Sequence, residues 1–422
     1  IHVAVNGVFT NTQPIDAYRG AGRPESAYII ERLIDAAARE TGLGPAEIRR
    51  RNFIPPEAMP FTTSMGLTYD SGEFRQNLED ALEISDWAGF EARRAESRAR
   101  GRLRGIGLST YIEACAGGGP EQATIRIRGD GKALVLIGTQ TNGQGHETAY
   151  KQIVHDRLGI ALEDIEVVQG DSDRITFGGG TGGSRSAPVG GAALAESAAK
   201  VIEKATAKAA DLLEAAAVDV VFREGGFEIV GTDRRVTLQE VAQAAAPDPT
   251  AIAFDEDARW APPASTYPNG CHVCELEVDP ETGHVQILRY TVADDFGKVL
   301  NPLMVAGQVH GGIAQGVGQA LTERVVFDAG TGQLLTASFS DYALPRADDL
   351  PQIALKLNEV PCRTNALGMK GAGEAGAIGA PPAVINALVD ALQHLGVRHV
   401  DMPATPETVW RLCQGGLAMA AE

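Results

Sequence analysis

The sequence has few aromatic residues, which make up 5% of the chain, and few cysteines, of which there are five. An odd cysteine count in 422 residues does not predict a disulfide framework, so we expect a reducing, cytoplasmic compartment. No apolar run approaches about 18 residues, the length that predicts a transmembrane helix. Lys and Arg number 37 against 55 Asp and Glu, which gives a net charge of −18. This charge argues against nucleic acid and against an anionic membrane surface as partners.

Glycine is abundant, at 49 residues, and the hydrophobic content of 44% is that of an ordinary globular protein. The length suggests two to four domains. A basic run at 91–105 is interpreted as a solvated helix leading into a linker, with an anion-binding patch as the alternative. We therefore predict one domain at 1–100 and a second at 101–422. The chain begins at Ile1 rather than Met, which suggests a fragment or a processed chain.

Hydrophobic spacing predicts helices at 24–39, 45–51, 147–158, 190–216, 302–323 and 383–395. A strand is predicted at 1–12 and a loop at 53–82. Turn residues indicate two hairpins, one around Gly129–Gly131 and one around Asp279–Gly283. Hairpins together with crossover helices indicate an α+β fold with mixed sheets. On the first helix we expect a buried apolar face made of Ala27, Ile30, Ile34 and Ala37.

Glycine-rich loops precede predicted helices at 20–24, 138–146, 178–191 and 368–382. Helix starts with exposed backbone N–H groups bind phosphates and other anions. Ser184, Arg185 and Ser186 add side-chain donors and a positive charge to one of these loops. The four loops predict a large, polar, phosphate-bearing ligand, and structural turns are the alternative. The helix at 302–323 contains five glycines, so we also expect a close approach to its backbone.

The segment GAGEAG at 371–376 matches the G-x-G-x-x-G pattern of dinucleotide sites. The residues before it form a poor strand and no acidic residue stands at position 396, so a nicotinamide site is not predicted. Glu374 remains as a lone carboxylate among small residues. It is a candidate general base, and a capping or turn glutamate is the alternative.

Patterns for metal ligation by side chains are weak. His146-Glu147 begins a zinc-protease motif, but Tyr150 stands where the second histidine is required. Cys271 and Cys274 lie in an alternating strand pattern without a second cysteine pair, so we interpret them as structural. No cysteine cluster for an iron–sulfur centre and no G-x-S-x-G nucleophile motif is found.

Seven segments, in order along nearly the whole chain, together resemble one family. They are AYRGAGRPE (17–25), GTQTNGQGHETA (138–149), GGGTGGSRSAPVGGAA (178–193), DDFGKVLNP (294–302), GQVHGGIAQGVGQAL (307–321), DYALPRA (341–347) and KGAGEAGAIGAPPAVINAL (370–388). The chain resembles the C-terminal portion of the molybdenum-binding large subunit of the xanthine dehydrogenase, aldehyde oxidase and carbon monoxide dehydrogenase family. The resemblance implies molybdopterin-binding domains, with residues 1–100 completing the first and 101–422 forming the second.

The resemblance also implies molybdopterin cytosine dinucleotide, with molybdenum carrying oxo and sulfido ligands and held by the pterin dithiolene. Arg19 would lie beside the molybdenum. Glu374 matches the family's catalytic glutamate and would be the general base that activates the water-derived oxygen. The other residues implied in cofactor binding are Gly20, Gln144, Gly145, Gly183, Ser184, Arg185, Ser186, Gln315, Lys370, Gly371 and Gly373.

Implied partners are a chain carrying the missing N-terminal half, a small [2Fe–2S] subunit and a medium FAD-binding subunit. Gly20 stands where carbon monoxide dehydrogenases carry a copper-binding Cys, so carbon monoxide oxidation is not expected. Ala21 stands where purine-oxidising members have a stacking Phe. The expected small-molecule substrate is an aldehyde or an N-heteroaromatic compound. The alternative is a non-catalytic cofactor-binding or assembly subunit that needs a second chain for activity.

Overall fold

The computed structural model describes residues 4–10, 12–14 and 16–415. The helices are α1 (Arg23–Thr41), α2 (Pro45–Asn52), α3 (Phe74–Ile84), α4 (Phe90–Ala99), α5 (His146–Leu158), α6 (Gly191–Leu213), α7 (Leu238–Ala245), α8 (Pro302–Leu321), α9 (Ala375–Leu392) and α10 (Pro406–Cys413). The strands are β1 (Phe61–Thr62), β2 (Thr68–Tyr69), β3 (Leu103–Ile112), β4 (Glu121–Arg128), β5 (Ala133–Ile137), β6 (Ile165–Val168), β7 (Val220–Arg223), β8 (Gly226–Ile229), β9 (Arg235–Thr237), β10 (Ile252–Trp260), β11 (Asn269–Val278), β12 (Val285–Asp295) and β13 (Ile353–Asn358).

One four-stranded sheet has the order β13-β12-β11-β3 and packs against α8 and α9. β11 is antiparallel to both neighbours, whereas β12 and β13 are parallel. All ten residues of β11 are buried, because the sheet is covered by α9 on one face and by α3 on the other. The apolar core on the α9 side includes Leu276, Val292, Ile313 and Ile385.

A second four-stranded sheet has the order β10-β4-β5-β6 and packs against α5 and α6. β4 and β5 form the predicted hairpin, and β5, α5 and β6 form a parallel strand–helix–strand unit. Its core includes Ile125, Val135, Ile153 and Val201. Mixed parallel and antiparallel sheets with separate helical layers confirm the predicted α+β class.

Two local predictions are wrong. No strand forms in the described part of 1–12, which comprises residues 4–10 and 12, while 1–3 and 11 lie outside the described residues. The predicted loop at 53–82 contains the β1–β2 hairpin and most of α3. Leu78 and Ala81 of α3 pack against β11 and β12, and this tertiary contact outweighs the local turn signals.

The predicted α1 helix forms, but its expected buried face is only partly correct: Ala27 packs against the core and Ile34 and Ala37 are half-buried, whereas Ile30 is exposed. The apolar side chains Ile29, Ile30 and Leu33 are 59%, 55% and 64% exposed. The charged residues Glu31 and Arg32 face inward instead. Both have polar partners there: Glu31 is paired with a buried guanidinium at 2.6 Å, and Arg32 donates to a side-chain amide of α9. Polar partners from distant parts of the chain therefore decide which side of α1 is buried.

The basic run at 91–105 forms α4 and the start of β3, and most residues of α4 are exposed, as the interpretation as a solvated helix predicts. Arg93 and Arg104 donate to the buried carboxylate of Glu275 at 2.9 and 2.7 Å. Arg100 donates to Glu277 at 2.7 Å. These arginines neutralise the acidic side chains of β11, so the segment is an exposed helix whose inward-facing arginines are paired within the protein.

Two of the five glycines of α8, Gly312 and Gly316, allow the close packing of α9 against its backbone. A Cβ at Gly312 would lie 2.8 Å from the backbone of Ala377, and one at Gly316 would lie 2.7 Å from Ala380 Cβ. The segment Ala375–Leu395 is long and apolar enough to cross a membrane, yet 94% of its most apolar 18-residue window is buried inside the molecule. It is a core helix, and its first residue follows Glu374 directly.

Candidate active site

Three separate chain segments meet at Glu374. Its carboxylate oxygen Oε1 accepts a hydrogen bond from the backbone N–H of Gly20 at 3.0 Å. Its other oxygen, Oε2, accepts one from the Ser184 hydroxyl at 2.6 Å. Gly20 lies in the loop before α1, Ser184 lies in the glycine-rich loop before α6, and Glu374 immediately precedes α9. The fold therefore brings together three of the four glycine-rich loops that the sequence singled out.

A second carboxyl group, that of Glu113, lies beside this site. The sequence analysis did not predict Glu113 as a site residue. It follows β3 directly and is 0% exposed. Its Oε1 lies 3.1 Å from the hydroxyl oxygen of Ser184, so Ser184 stands between two carboxyl groups. One feature of the sequence could have indicated Glu113. It is the single acidic residue between an apolar strand and the glycine-rich run at 116–119.

The two carboxyl groups have opposite pKa shifts. Burial, together with the hydrogen bond to Glu374 and its negative charge, raises the pKa of Glu113 well above its usual value. Burial also acts to raise the pKa of Glu374, but hydrogen bonds from Glu113, Ser184 and Gly20 outweigh burial and lower it. Glu374 is therefore ionised at neutral pH, as a general base must be.

Arg19 links the loop before α1 to α8 and to the segment before α9. Its guanidinium donates to the backbone oxygen of Gly373 at 2.5 Å and to Gln315 Oε1 at 2.9 Å. A further nitrogen donates to the backbone oxygen and to Oε1 of Gln308, both at 3.1 Å. Arg19, Gln315 and Gly373, predicted separately as site residues, are thus in direct contact. Gln308 is a fourth member that the sequence did not indicate.

The positively charged side chains of Lys370 and Arg185 form hydrogen bonds within the protein that hold the site loops in place. The Lys370 ammonium is fully buried and donates to Asp295 Oδ2 at 2.5 Å. Arg185 donates to Glu121 Oε2 at 3.2 Å and to the backbone oxygens of Gly119 and Pro120. The prediction that these two residues bind cofactor stays a prediction, and their side-chain charges have protein partners. Their charges are already used within the protein, where they hold the loops in place.

Gly371 is required by a close approach between two loops. A Cβ at this position would lie 2.3 Å from the backbone oxygen of Ser184 and 2.7 Å from Cys115 Sγ. At Gly373 the nearest atom, Ser184 Oγ, would lie 3.2 Å away. The small residues around Glu374 therefore let the segment 371–373 lie against the serine loop, which sets the distance between Ser184 and Glu374.

The loops at 138–146 and 178–191 lie side by side. Thr181 donates to the backbone oxygen of Gln140 and lies 3.4 Å from the Ser186 hydroxyl. The amide of Gln144 closes its own turn by contacts with 140–142. Gly145 has a φ of 80° and ends the turn at the start of α5. Gln144, Gly145 and Ser186 thus line a region continuous with Gly183 and Ser184, although they do not touch Glu374.

Side chains do not form a metal centre in the described residues. No group of three or more His, Cys, Asp or Glu side chains there could hold a metal ion. All five cysteines are free thiols. Cys271 and Cys274 are buried in β11, as their structural interpretation predicts. Burial lowers the pKa of His272, which lies between them, to about 3, so this histidine is neutral.

Family models identify the chain. Two models, each described as a molybdopterin cofactor-binding domain, match residues 1–53 and 80–351. The second match alone covers more than half of the chain. The chain belongs to the molybdenum-binding large subunits of the xanthine dehydrogenase, aldehyde oxidase and carbon monoxide dehydrogenase family, as the sequence motifs predict. A molybdopterin cofactor is the ligand for which these domains are named.

Individual relatives cover almost all of this chain. The carbon monoxide dehydrogenase large chain of Hydrogenophaga pseudoflava is 37% identical over 97% of the chain and 53% of its own length. The nicotine 6-hydroxylase large subunit of Paenarthrobacter nicotinovorans is 34% identical over 97% and 52%. The structure of quinoline 2-oxidoreductase from Pseudomonas putida 86 superposes with a TM-score of 0.88, at 36% identity over 95% and 53%. The chain thus spans about half the length of these relatives.

Proposed function

We propose that this chain is the catalytic portion of a molybdenum hydroxylase large subunit that oxidises an aldehyde or an N-heteroaromatic carbon with water-derived oxygen. The observation that carries the proposal is the ionised Glu374 carboxylate, held by Gly20 and Ser184 beside the Arg19 network. Two relatives are named for N-heteroaromatic substrates, nicotine and quinoline, which supports that substrate class. Gly20, in place of a copper-binding Cys, supports a substrate other than carbon monoxide.

The loops fit a pterin dinucleotide. Four glycines stand in open space, with no atom within 4 Å of the position that a Cβ would take: Gly143, Gly180, Gly182 and Gly183. α5 begins at His146 without a side-chain cap, so the N–H groups of its first turn remain available for an anion. We propose that these groups hold the phosphates of molybdopterin cytosine dinucleotide. Ser184, Ser186 and Gln144 would contact the pterin end.

When bound, the molybdopterin cofactor supplies the two-electron redox chemistry, and the protein supplies position and electrostatics. Glu374 accepts a proton at its carboxylate during the reaction. Each of its oxygens already accepts one hydrogen bond, from Gly20 or Ser184, and keeps a second lone pair. These two bonds fix the orientation of the carboxylate. Arg19 fixes the adjoining backbone at Gly373 and places a positive charge near the reaction.

The exposed face of α1 supports a partner chain. Ile29, Ile30 and Leu33 form an apolar surface close to the Arg19–Gly20 loop, with Val8 and Phe9 also exposed on the preceding segment. Apolar patches of this kind mark interaction sites. We propose that the polypeptide supplying the N-terminal half covers this surface, that residues 1–100 complete its molybdopterin-binding domain, and that 101–422 form the second. A cytoplasmic location is part of the same proposal.

Electrons must leave the site after each turnover. The described residues contain no cysteine cluster able to hold an iron–sulfur centre. We propose that a small [2Fe–2S] subunit and a medium FAD-binding subunit carry the electrons away.

Purification from native cells tests the proposal as a whole. The co-purifying chains are identified by mass, molybdenum is measured per chain, and acid-released nucleotide is identified by chromatography. We expect cytidine monophosphate, molybdenum and two redox subunits. A flavin or nicotinamide bound to this chain in place of the pterin nucleotide would contradict the proposal. Molybdenum bound without any substrate oxidation by the complete complex would favour the non-catalytic alternative.

A further inference from the structure

We propose that Glu113 carries a proton and donates it to the Ser184 hydroxyl, which in turn donates to Glu374, so that the two side chains form an acid–carboxylate pair bridged by Ser184 in which Glu113 keeps Glu374 ionised. Glu113 is a positioning residue in this proposal, because it acts through Glu374. The inference rests on the proposed function only for the role of Glu374 as base. The pairing itself rests on geometry.

The geometry around Ser184 requires one protonated carboxyl group. A hydroxyl has one hydrogen to donate. Ser184 Oγ lies 2.6 Å from Glu374 Oε2 and 3.1 Å from Glu113 Oε1, so it cannot donate to both carboxylates. If both were ionised, one contact would be a repulsion between lone pairs in a buried site. A proton on one carboxyl group turns that contact into a second hydrogen bond.

The surroundings place the proton on Glu113. Glu374 also accepts the Gly20 N–H at 3.0 Å, so each of its oxygens has a hydrogen-bond donor. Glu113 is completely buried, and within the described residues its Oε2 has no hydrogen-bond partner. A buried carboxylate with an unpaired oxygen is far more costly than a neutral carboxylic acid.

The other titratable groups around Glu113 do not neutralise its charge. They are Arg19, Arg23, Tyr111, Cys115 and Glu374. Arg23 donates to the backbone oxygens of Ala114 and Gly20, and Arg19 donates to α8 and Gly373, so neither guanidinium bonds to Glu113. Burial raises the pKa of Tyr111 and of Cys115, which therefore remain neutral.

The pair has a mechanistic consequence. An acid that donates toward the Glu374–Ser184 cluster stabilises negative charge on Glu374, and a buried base without such a partner would become protonated. When Glu374 has accepted a proton, the pair holds two protons, and release of the proton from Glu374 restores the starting state with Glu113 still protonated. Glu113 thereby extends the pH range over which Glu374 is ionised toward lower pH.

Infrared spectroscopy tests the pairing without requiring activity. The purified complex is compared with Glu113→Gln at neutral pH in H2O and D2O. We expect the wild type to show the carbonyl stretch of one protonated carboxylic acid that Glu113→Gln lacks and Glu374→Gln retains. Asp294→Asn serves as the control, because it removes a different buried acid. If the band persists in Glu113→Gln, or if no band is lost, the pairing is overturned.

The pH dependence of kcat/KM tests the consequence. Glu113→Gln keeps a neutral donor, whereas Glu113→Leu removes it. We expect the acidic limb of the kcat/KM profile to lie about one to two pH units higher in Glu113→Leu than in the wild type. In Glu113→Gln it should shift by much less. Well below both limbs, the Gln variant should be about tenfold more active than the Leu variant, with equal molybdenum per chain. If the acidic limb lies at the same pH in both variants, Glu113 is not a positioning residue for Glu374. An inactive wild-type complex that retains the infrared band would count against the proposed function alone.

Discussion

The backbone N–H of Gly20 donates to Glu374 Oε1 at 3.0 Å, across 354 positions of sequence. This bond joins the loop before α1 to the start of α9, and Arg19 strengthens the junction by donating to Gly373. Glu374, the proposed base, is thus held by a backbone donor from the Gly20 loop and a side-chain donor from Ser184. Changes to these supporting contacts should alter catalysis without altering the base itself.

Gly371→Ala should displace the serine loop. Its Cβ would lie 2.3 Å from the backbone oxygen of Ser184, so the segments 371–373 and 183–184 must separate. A displacement of about 1 Å in a catalytic site costs about 100-fold in rate, and we expect kcat to fall about 10- to 100-fold. Gly307→Ala is the control, because open space surrounds this position on α8. Steady-state kinetics should show unchanged activity there. Equal kcat in both variants would contradict the close-approach account.

Lys370→Met should destabilise the protein strongly. The mutation leaves Asp295 buried without its cation, and breaking a buried pair by removing one partner costs about 3–5 kcal/mol. Lys132→Met removes a surface pair with Asp164 and should cost about 1 kcal/mol or less. Denaturant unfolding measures both free energies. If the two substitutions cost the same, Lys370 does not anchor the loop as described.

Asp294→Asn should change how stability depends on pH. Burial, with the charge of Asp295, raises the pKa of Asp294 well above its usual value, so the folded protein keeps this proton. The unfolded chain releases it above about pH 4. Unfolding therefore releases a proton, and stability falls as pH rises from about 4 toward the folded pKa, by about 1.4 kcal/mol per pH unit for this group.

The Asp294→Asn variant has no carboxyl group at this position, so it does not lose stability in this way as the pH rises. Its free energy of unfolding, measured relative to wild type, should improve steadily between pH 5.5 and 7.5. Asp233→Asn is the control at an exposed position, and its difference from wild type should stay constant. A constant difference for Asp294→Asn as well would mean that Asp294 is ionised in the folded protein.

The sequence predicted secondary-structure elements correctly where the residues that pack together are close in sequence. The β4–β5 hairpin and the β5-α5-β6 unit were predicted because alternation, turn glycines and helical spacing all agree there. The inward-facing side of α1 could not be predicted. Its buried charges are satisfied by Arg49, Thr110 and Asn386, and only the folded chain brings those partners together.

In the candidate site, too, residues within sequence motifs were predicted, whereas contacts that depend on the fold were not. Glu374, Ser184, Gly20 and Arg19 were indicated by motifs in glycine-rich loops, and the fold places them in contact. Glu113 carries no motif, and its importance depends on a hydroxyl 71 residues away. Arg185 and Lys370 have charges that suit an anion in sequence, but their partners Glu121 and Asp295 are visible only in the structure.

Glu374→Gln tests the central claim most directly. The substitution keeps the shape and the hydrogen-bonding neighbours Gly20 and Ser184 but removes the basicity. General-base catalysis contributes about 10²- to 10⁴-fold, so kcat should fall at least about 100-fold. Turnover and molybdenum content are measured on the same preparation of the purified complex, and molybdenum per chain should match the wild type. Loss of molybdenum would make Glu374 a structural residue, and retained activity with retained molybdenum would mean that another group is the base.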